Sequence, residues 1–378
     1  MDWQLYENTK TRHCANVDVS ASGSYPTHLH TSLSPENGER AITDISCWAN
    51  YKPTPLRDLP KIAEAAGVAR VYYKDESGRF GLGSFKALGG AYAVSKLVAK
   101  SDNPRDITVV SATDGNHGRA VAWGAKQAGC QCRIYIHAAV SEQRQQAIES
   151  LGATVIRIDG NYDDSVRRAA DDADKNGWTV VADTATGAGE EMPGQVMAGY
   201  CTMAEETLQQ LPSAPTHVFV QGGVGGLAAA ICGWFWHKLG KRRPDMTIVE
   251  PSLADCLYQS ARQRQLTPVE IEEETLMAGL SCGEPSAMAW PVLRAGAHHF
   301  MTIEDEAIPP LMRYLAGEQI ESGESGVAGL AGLLAAAKQS RVRNDICLNG
   351  ESHVVVFGTE GATDADIYAR IVGAHPHQ

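Results

Sequence analysis

The chain has 378 residues, 43% hydrophobic and 21% charged, with a formal net charge of −12. That length predicts two domains or a two-lobed body with a large core, and the acidic balance disfavours nucleic acid or an anionic membrane surface as the main partner. No window of about 18 uncharged apolar residues marks a membrane span, and nine scattered cysteines without metal-ligand spacing point to a reducing cytoplasm.

Residues 1–45 carry many Ser, Thr, Asn and His with no clear period and read as an irregular N-terminal arm. The arm begins Met1-Asp2-Trp3-Gln4, with no basic or apolar leader pattern. His28 and His30 lack further ligands at useful metal spacing. Pro53 and Pro55 predict an extended entry, because each disfavours helix in the residue before it. A short helix over 59–65, closed by Gly67, and a strand over 71–74 follow. Next comes Gly81-Leu82-Gly83-Ser84-Phe85-Lys86-Ala87-Leu88-Gly89-Gly90, opening a helix over 87–100. Lys86 therefore stands at or near a helix N-terminus, beside backbone that can approach a ligand closely. A Schiff-base lysine needs partial shielding, a lowered pKa and a nearby cofactor face. An ordinary surface lysine in a glycine-rich loop is the plainer reading of this stretch alone.

The strand predicted over 107–110 runs into Ser111-Ala112-Thr113-Asp114-Gly115-Asn116-His117-Gly118. A helix over 119–128, a strand over 132–136, a helix over 141–151 with Ser141 as N-cap and a strand over 154–158 come next. They are followed by a helix over 162–175 and a strand over 179–182 that ends at Asp183-Thr184. This alternation predicts a doubly wound α/β unit with mostly parallel strands. Such sheets bind ligands at the carboxyl ends of their strands, where Lys86, Asp114, Asn116 and Asp183 all fall. Residues 184–193 are small and flexible and read as a hinge or active-site loop; a helix is predicted over 194–211. The strand over 216–220 feeds Gln221-Gly222-Gly223-Val224-Gly225-Gly226 and a helix over 227–239. Strand, glycine turn and helix together suit a phosphate, although a plain strand-to-helix turn has the same pattern. A P-loop is excluded, since no Lys-Ser or Lys-Thr follows the glycines. A dinucleotide fingerprint stays open through Glu250, which lies near the spacing of a ribose-binding acid.

A lysine for an imine, a glycine loop for a phosphate and residues 113–118 for a carboxylate make a phosphate-bearing aldehyde the best ligand. In chain order, Ser84-Phe85-Lys86, Asp114-Gly115-Asn116-His117-Gly118, Gly222-Gly223-Val224-Gly225-Gly226 and Gly358-Thr359-Glu360-Gly361 resemble fold-type II pyridoxal-phosphate enzymes. The likeness runs from about Tyr51 onward. It narrows to the diaminopropionate ammonia-lyase family through the stretch from Lys74 to Leu82, Asn161-Tyr162-Asp163-Asp164, the stretch from Met277 to Ser286, and Ser322-Gly323-Glu324-Ser325-Gly326.

The resemblance implies an α/β fold of two doubly wound, mostly parallel sheet domains with the cofactor between them. The large domain would comprise 1–86 and 199–378, and a small mobile domain 87–198. The cofactor would be pyridoxal 5'-phosphate, bound by Phe85, Lys86, Asn116, the cup Gly222, Gly223, Val224, Gly225 and Gly226, and Thr359. Lys86 would form the Schiff base and remove the α-proton of the L-isomer. Thr359 would meet the ring nitrogen, where a hydroxyl leaves the ring largely unprotonated and favours elimination over transamination. Asp114 would be the base for the D-isomer, and Asp183 would lie near the β-amino group. Ser111, Thr113, Asp114, His117 and Asp183 would bind substrate.

Ser/Thr dehydratases of this fold carry a small apolar residue at the Asp114 position. A carboxylate there is repelled by a substrate carboxylate and should have a raised pKa, a cost that suggests use. The plainer roles are a helix N-cap for Asp114 and for Asp183, which ends a strand, a packed loop histidine for His117, and core or interface positions for Trp123, Trp234 and Trp236. One departure concerns 185–189, which lacks the aromatic that family members carry after the Asp-Thr pair. The expected activity is elimination of 2,3-diaminopropionate, on one or both of the D- and L-isomers, to pyruvate and ammonia. The alternatives are a lyase or dehydratase for another 3-substituted alanine such as serine or threonine, a silent pyridoxal-phosphate-binding protein, and a nicotinamide oxidoreductase. The expected partner is a small amino acid, with no nucleic acid or membrane, in a cytoplasmic homodimer.

Overall fold

A computed structural model describes residues 3–113 and 115–373. Among them two sheets are formed. The larger contains β1 (Arg12–Ala15), β2 (Leu56–Asp58), β3 (Arg70–Asp75), β8 (His217–Gln221), β9 (Asp245–Pro251), β10 (His299–Ile303) and β11 (His353–Gly358). The smaller contains β4 (Thr108–Ala112), β5 (Gln131–His137), β6 (Thr154–Ile158) and β7 (Thr179–Val180). The large sheet runs β1-β10-β9-β8-β11-β3-β2, parallel throughout its centre, with β1 and β2 antiparallel at the two edges. The small sheet runs β6-β5-β4-β7 and is wholly parallel. Every residue of β8 and β10 is buried. Such uninterrupted burial is what parallel strands covered on both faces require.

The alternation predicted between 59 and 239 is present, with ends shifted by a few residues. Gly67 closes the helix Pro60–Ala66 in the left-handed region, at φ 62°. Ser141 caps Glu142–Ser150 by accepting the Arg144 backbone N–H at 3.3 Å. Asn161 and Asp164 form a reciprocal capping box on Tyr162–Asn176. The strand predicted over 179–182 shortens to β7, and the loop predicted over 184–193 gives up its last residues to the helix Glu191–Gln210.

The irregular arm predicted over 1–45 needs correction. It contains β1 and the helix Pro35–Ser46, whose cap Ser34 accepts the Asn37 N–H at 3.1 Å. That helix buries only Gly38, Ala41 and Ile45 beside its proline, so its apolar stripe is thin. β1 exists because it pairs with β10, a non-local contact that the local pattern does not reveal.

Two features fix the Lys86 loop. The helix Lys86–Val98 is clamped on both sides by glycines: a Cβ at Gly199 would lie 1.9 Å from the Leu88 carbonyl oxygen, and one at Gly124 would lie 2.5 Å from the Ala91 Cα. Gly199 belongs to the helix Glu191–Gln210, inside which the expected domain boundary at 198/199 falls. Beneath the loop lies a closed ionic network. Lys74 Nζ donates to Thr54 O and Glu206 Oε2, both at 2.7 Å, and to Gln210 Oε1 at 2.9 Å. Arg79 bridges Glu76 and Glu206 at 2.7–2.8 Å. Phe80, at φ 50°, projects from this base and stacks on Trp123 with ring centroids 5.0 Å apart. Trp234 and Trp236 are buried, as expected.

Candidate active site

The predicted site residues gather where the carboxyl ends of both sheets meet. β3 leads to Lys86, β4 to Thr113 and Asn116, β7 to Asp183, β8 to the glycine loop, and β11 to Thr359. Asp114 lies outside the described residues.

Lys86 begins its helix, and its Nζ donates to Asp183 Oδ2 at 2.6 Å. The amine also lies 5.3 Å from the centre of the Phe85 ring, which packs against Tyr200 with centroids 4.8 Å apart. Burial works to lower the lysine pKa, but the charge and hydrogen bond of Asp183, together with Tyr200, outweigh it and hold the amine well above its ordinary value. Burial works to raise the Asp183 carboxyl, and the charges of Lys86 and His117 hold it below the usual carboxylate range. The expectation of a lowered lysine pKa is thus overturned. The opposing carboxylate, at hydrogen-bond distance, decides the sign.

His117 is buried, with Nε2 2.9 Å from Val181 O and Nδ1 3.9 Å from Asp183 Oδ2. The Nε2–H therefore donates to the carbonyl, and Nδ1 faces Asp183 without a hydrogen-bond partner among the described residues. Burial lowers the pKa of this histidine. Ser111 is buried within β4 opposite Ile134, and the Thr113 hydroxyl accepts the Gly115 N–H at 3.3 Å. The loop after Asp183 is laced to 286–287: the Ala185 N–H reaches Ser286 Oγ at 3.3 Å and its carbonyl accepts from Ala287 at 2.9 Å. Ala185 is buried, so small residues there suit close packing.

The glycine loop is built for a group held by backbone. Gly223 and Gly225 take φ 59° and 98°, a region costly for residues with a Cβ. Gly225 caps the helix Gly226–Leu239, whose first N–H groups have no intrahelical acceptor. Glu250 packs beneath the loop and accepts the backbone N–H groups of Leu257 at 2.9 Å and Tyr258 at 2.7 Å. Burial pushes its carboxyl up to about 8. It serves as a buried cap, which removes the dinucleotide reading. Thr359 is buried and its hydroxyl accepts from Gln221 Nε2 at 2.8 Å, leaving its proton to donate elsewhere. Asn116 Nδ2 donates to Glu360 Oε2 at 2.6 Å.

Four residues here had no role assigned from sequence: Gln221, Tyr200, Cys282 and Glu360. Cys282 feels the charges of both Asp183 and Lys86, and burial pushes its thiol up to about 12. Gln221 and Glu360 adjoin the glycine loop and Thr359, so their place beside those motifs was the available signal. Tyr200 is mid-helix and carried none.

A half-buried amine, a cup of left-handed glycines at a helix N-terminus and a hydroxyl with a free proton fit a pyridine aldehyde bearing a phosphate. Comparison with known proteins agrees. Residues 48–357 match the model of the pyridoxal-phosphate dependent enzyme family. The diaminopropionate ammonia-lyase of Escherichia coli K12 is 38% identical over 355 residues, covering 87% of this chain and 89% of that one. Two crystal structures of the Escherichia coli enzyme superpose closely at 35% identity. The complex with an aminoacrylate-PLP azomethine reaction intermediate gives a TM-score of 0.86 and covers 97% of each chain. The D-serine complex gives 0.87 and covers 96% of this chain and 97% of that one. The fold, the glycine cup, the half-buried lysine and this full-length likeness agree that the chain belongs to the diaminopropionate ammonia-lyases, within the fold-type II pyridoxal-phosphate-dependent enzymes.

Proposed function

We propose that this chain eliminates ammonia from 2,3-diaminopropionate to give pyruvate and a second ammonia, using pyridoxal 5'-phosphate. The observation that carries the substrate is Asp183, which already holds one ammonium, that of Lys86, at 2.6 Å. A substrate with a second ammonium can take that place, whereas serine or threonine offers only a hydroxyl there. Asp183 therefore binds the β-ammonium and leaves Lys86 Nζ free of its salt bridge.

The cofactor, when bound, supplies an electron sink that acidifies the α-carbon. Lys86 Nζ anchors it and takes the α-proton of the L-isomer; Phe85 flanks the ring. Within the cup 222–226, the N–H groups of Gly223, Val224 and Gly226 would hold the phosphate without a cationic side chain, those of Gly222 and Gly225 being bonded to Val249 O and Gly222 O. The Thr359 hydroxyl, which already accepts from Gln221, would offer its remaining hydrogen bond to the ring nitrogen and leave the ring largely unprotonated. Asn116 meets the 3' oxygen. Ser111, Thr113 and His117 orient the substrate, and Asp114 takes the α-proton of the D-isomer from the opposite face.

Residues 87–198 act as a small mobile domain, a reading supported by the separate sheet within them. Nine free thiols support a cytoplasmic location. A homodimer is part of the same proposal, taken from the family likeness.

The test is pyruvate release from the D- and L-isomers of 2,3-diaminopropionate and serine, for the wild type and Asp114→Asn. Diaminopropionate is expected to be the better substrate in both configurations. A general base must lie within about 3 Å of its proton, so one side chain cannot serve both faces. Asp114→Asn is expected to lower D-isomer turnover by roughly 10²-fold or more and the L-isomer far less. An equal fall for both isomers makes Asp114 a shared binding residue, and preference for serine sinks the substrate assignment.

A further inference from the structure

Glu360 stands where the layers of the two sheets meet. Its carboxylate accepts the Asn116 side-chain N–H at 2.6 Å and the Ser325 backbone N–H at 3.1 Å. Asn116 opens the helix Asn116–Ala128, which follows β4 of the small sheet, while Glu360 follows β11 of the large one. The backbone around Glu360 is tied to the lysine loop. The Phe85 N–H donates to Thr359 O at 3.0 Å, the Gly361 N–H donates to Gly83 O at 2.9 Å, and Ser84 bridges Glu360. Residues 359–361 thus include the expected ring-nitrogen partner, Thr359, and touch both the lysine loop and Asn116.

Room for this segment comes from two glycines. A Cβ at Gly323 would lie 2.9 Å from Glu360 Oε1, and one at Gly326 would lie 2.8 Å from Glu360 O. The glycines of Ser322-Gly323-Glu324-Ser325-Gly326 thereby acquire a physical reason that the catalytic assignment does not supply.

We propose that Glu360 is a positioning residue for the cofactor: it fixes the Asn116 amide so that the second N–H of that amide faces the 3' oxygen of the pyridine ring. The inference rests on the reading of Asn116 given above. An amide presents two donors at nitrogen and an acceptor at oxygen, in nearly the same shape. The Glu360 oxygen beside it, an acceptor at 2.6 Å, selects the nitrogen end; burial raises the Glu360 carboxyl pKa, and the N–H donors of Ser325 and Asn116 work against that rise. Without that selection the amide can turn and set its oxygen against the ring oxygen, acceptor facing acceptor. The layers do not depend on this contact alone, since Arg144 Nη2 meets Asp364 Oδ2 across the same cleft at 2.7 Å.

Glu360→Gln is the informative change. Its oxygen can still accept from Ser325, but its NH2 group then faces Asn116 and selects the wrong end of the amide. The holoenzymes of wild type, Glu360→Gln, Asn116→Ala and the double variant are stripped of cofactor and titrated with pyridoxal 5'-phosphate by absorbance, with thermal midpoints read in parallel. Glu360→Gln is expected to weaken binding by roughly tenfold, the scale of one hydrogen bond to a charged group. Asn116→Ala is expected to weaken it at least as much. The double variant is expected to bind no more weakly than Asn116→Ala alone, because the two residues act as one unit. A structural role would instead lower the midpoint and add its loss in both backgrounds, and additive losses overturn the inference while leaving Asn116 in the site. If Asn116→Ala binds cofactor as the wild type does, the Asn116 assignment fails and Glu360 loses its proposed role with it. Glu360→Ala repeats the cycle should Glu360→Gln fold poorly, with the same two outcomes deciding.

Discussion

Lys74 and Lys86 stand twelve positions apart, and each meets a carboxylate, at 2.7 Å and 2.6 Å. Their surroundings make them opposites. The Lys74 side chain is 0% exposed and all three of its donors are used, by Thr54, Glu206 and Gln210. The Lys86 side chain is 21% exposed, and Asp183, its partner, is 27% exposed. Burial lowers the pKa of Lys74 although it is paired, whereas the charge and hydrogen bond of Asp183, with Tyr200, carry that of Lys86 upward against its burial. A lysine enclosed by three acceptors has no geometry left for a ligand. A lysine with one replaceable partner can exchange it for substrate or cofactor. Charge pairing by itself therefore does not separate a structural lysine from a reactive one; the number of acceptors and the access to the pair do.

The sharpest break in this comparison is Lys86→Ala. Elimination activity is expected to fall by at least about 10³-fold, because covalent anchor and base are lost together. The phosphate cup is intact in that variant, so the protein should still bind pyridoxal 5'-phosphate in an equilibrium titration. Substantial turnover of either isomer would remove Lys86 from its role.

Glu206→Gln probes the other side. Glu206 is shared by Lys74 and Arg79, so its neutralisation leaves buried cations short of charge. The expected loss is roughly 3–5 kcal/mol of stability by denaturant titration, the scale for breaking a buried ion pair. Activity per folded molecule should change little. The inverse pattern, stability kept and activity lost, would make the Lys74 network part of the chemistry.

Glu250 supplies a third case, a buried carboxylate satisfied by backbone N–H groups without a cation. Burial wins there, and its pKa rises to about 8 from an ordinary 4.5. The folded state thus binds the proton more tightly than the unfolded state does. Its stabilising contribution is complete below the unfolded value and is lost as pH rises from about 4.5 through about 8. Above about 6.5, where the buried His13, His117 and His298 with their lowered pKa values no longer oppose it, thermal midpoints should fall as pH rises toward 8. Glu250→Gln should flatten part of that slope, leaving the portion due to Glu324 and Glu360, whose carboxyls burial also raises. An unchanged slope would mean that Glu250 is ionised throughout.

Much of the strand–helix alternation was legible because parallel strands are buried on both faces and their helices carry strong caps. Ser141 and Gly67 each act through local chemistry that the chain states directly, whereas β9, β10 and β11 were not read. The helix Pro35–Ser46 was hidden by its polar outer surface, and β1 by its dependence on β10. In the site, Lys86, Asn116, Asp183 and the glycine loop were found because each ends a strand. The Lys86 pKa was misread, since a sequence places a lysine at a helix start without saying which carboxylate faces it. Asp183 is 97 residues away and comes to 2.6 Å only through the packing of the two sheets. Glu360 was overlooked for the same reason, lying 244 residues from the amide it holds.

The contrast between the two lysines is tested most directly by borohydride reduction of the holoenzyme, followed by peptide mass mapping. Reduction fixes the cofactor on the nitrogen that carries it. The phosphopyridoxyl group is expected on the peptide containing Lys86, with Lys74 unmodified. Label on Lys74 or on another lysine, with Lys86 clean, would contradict the assignment.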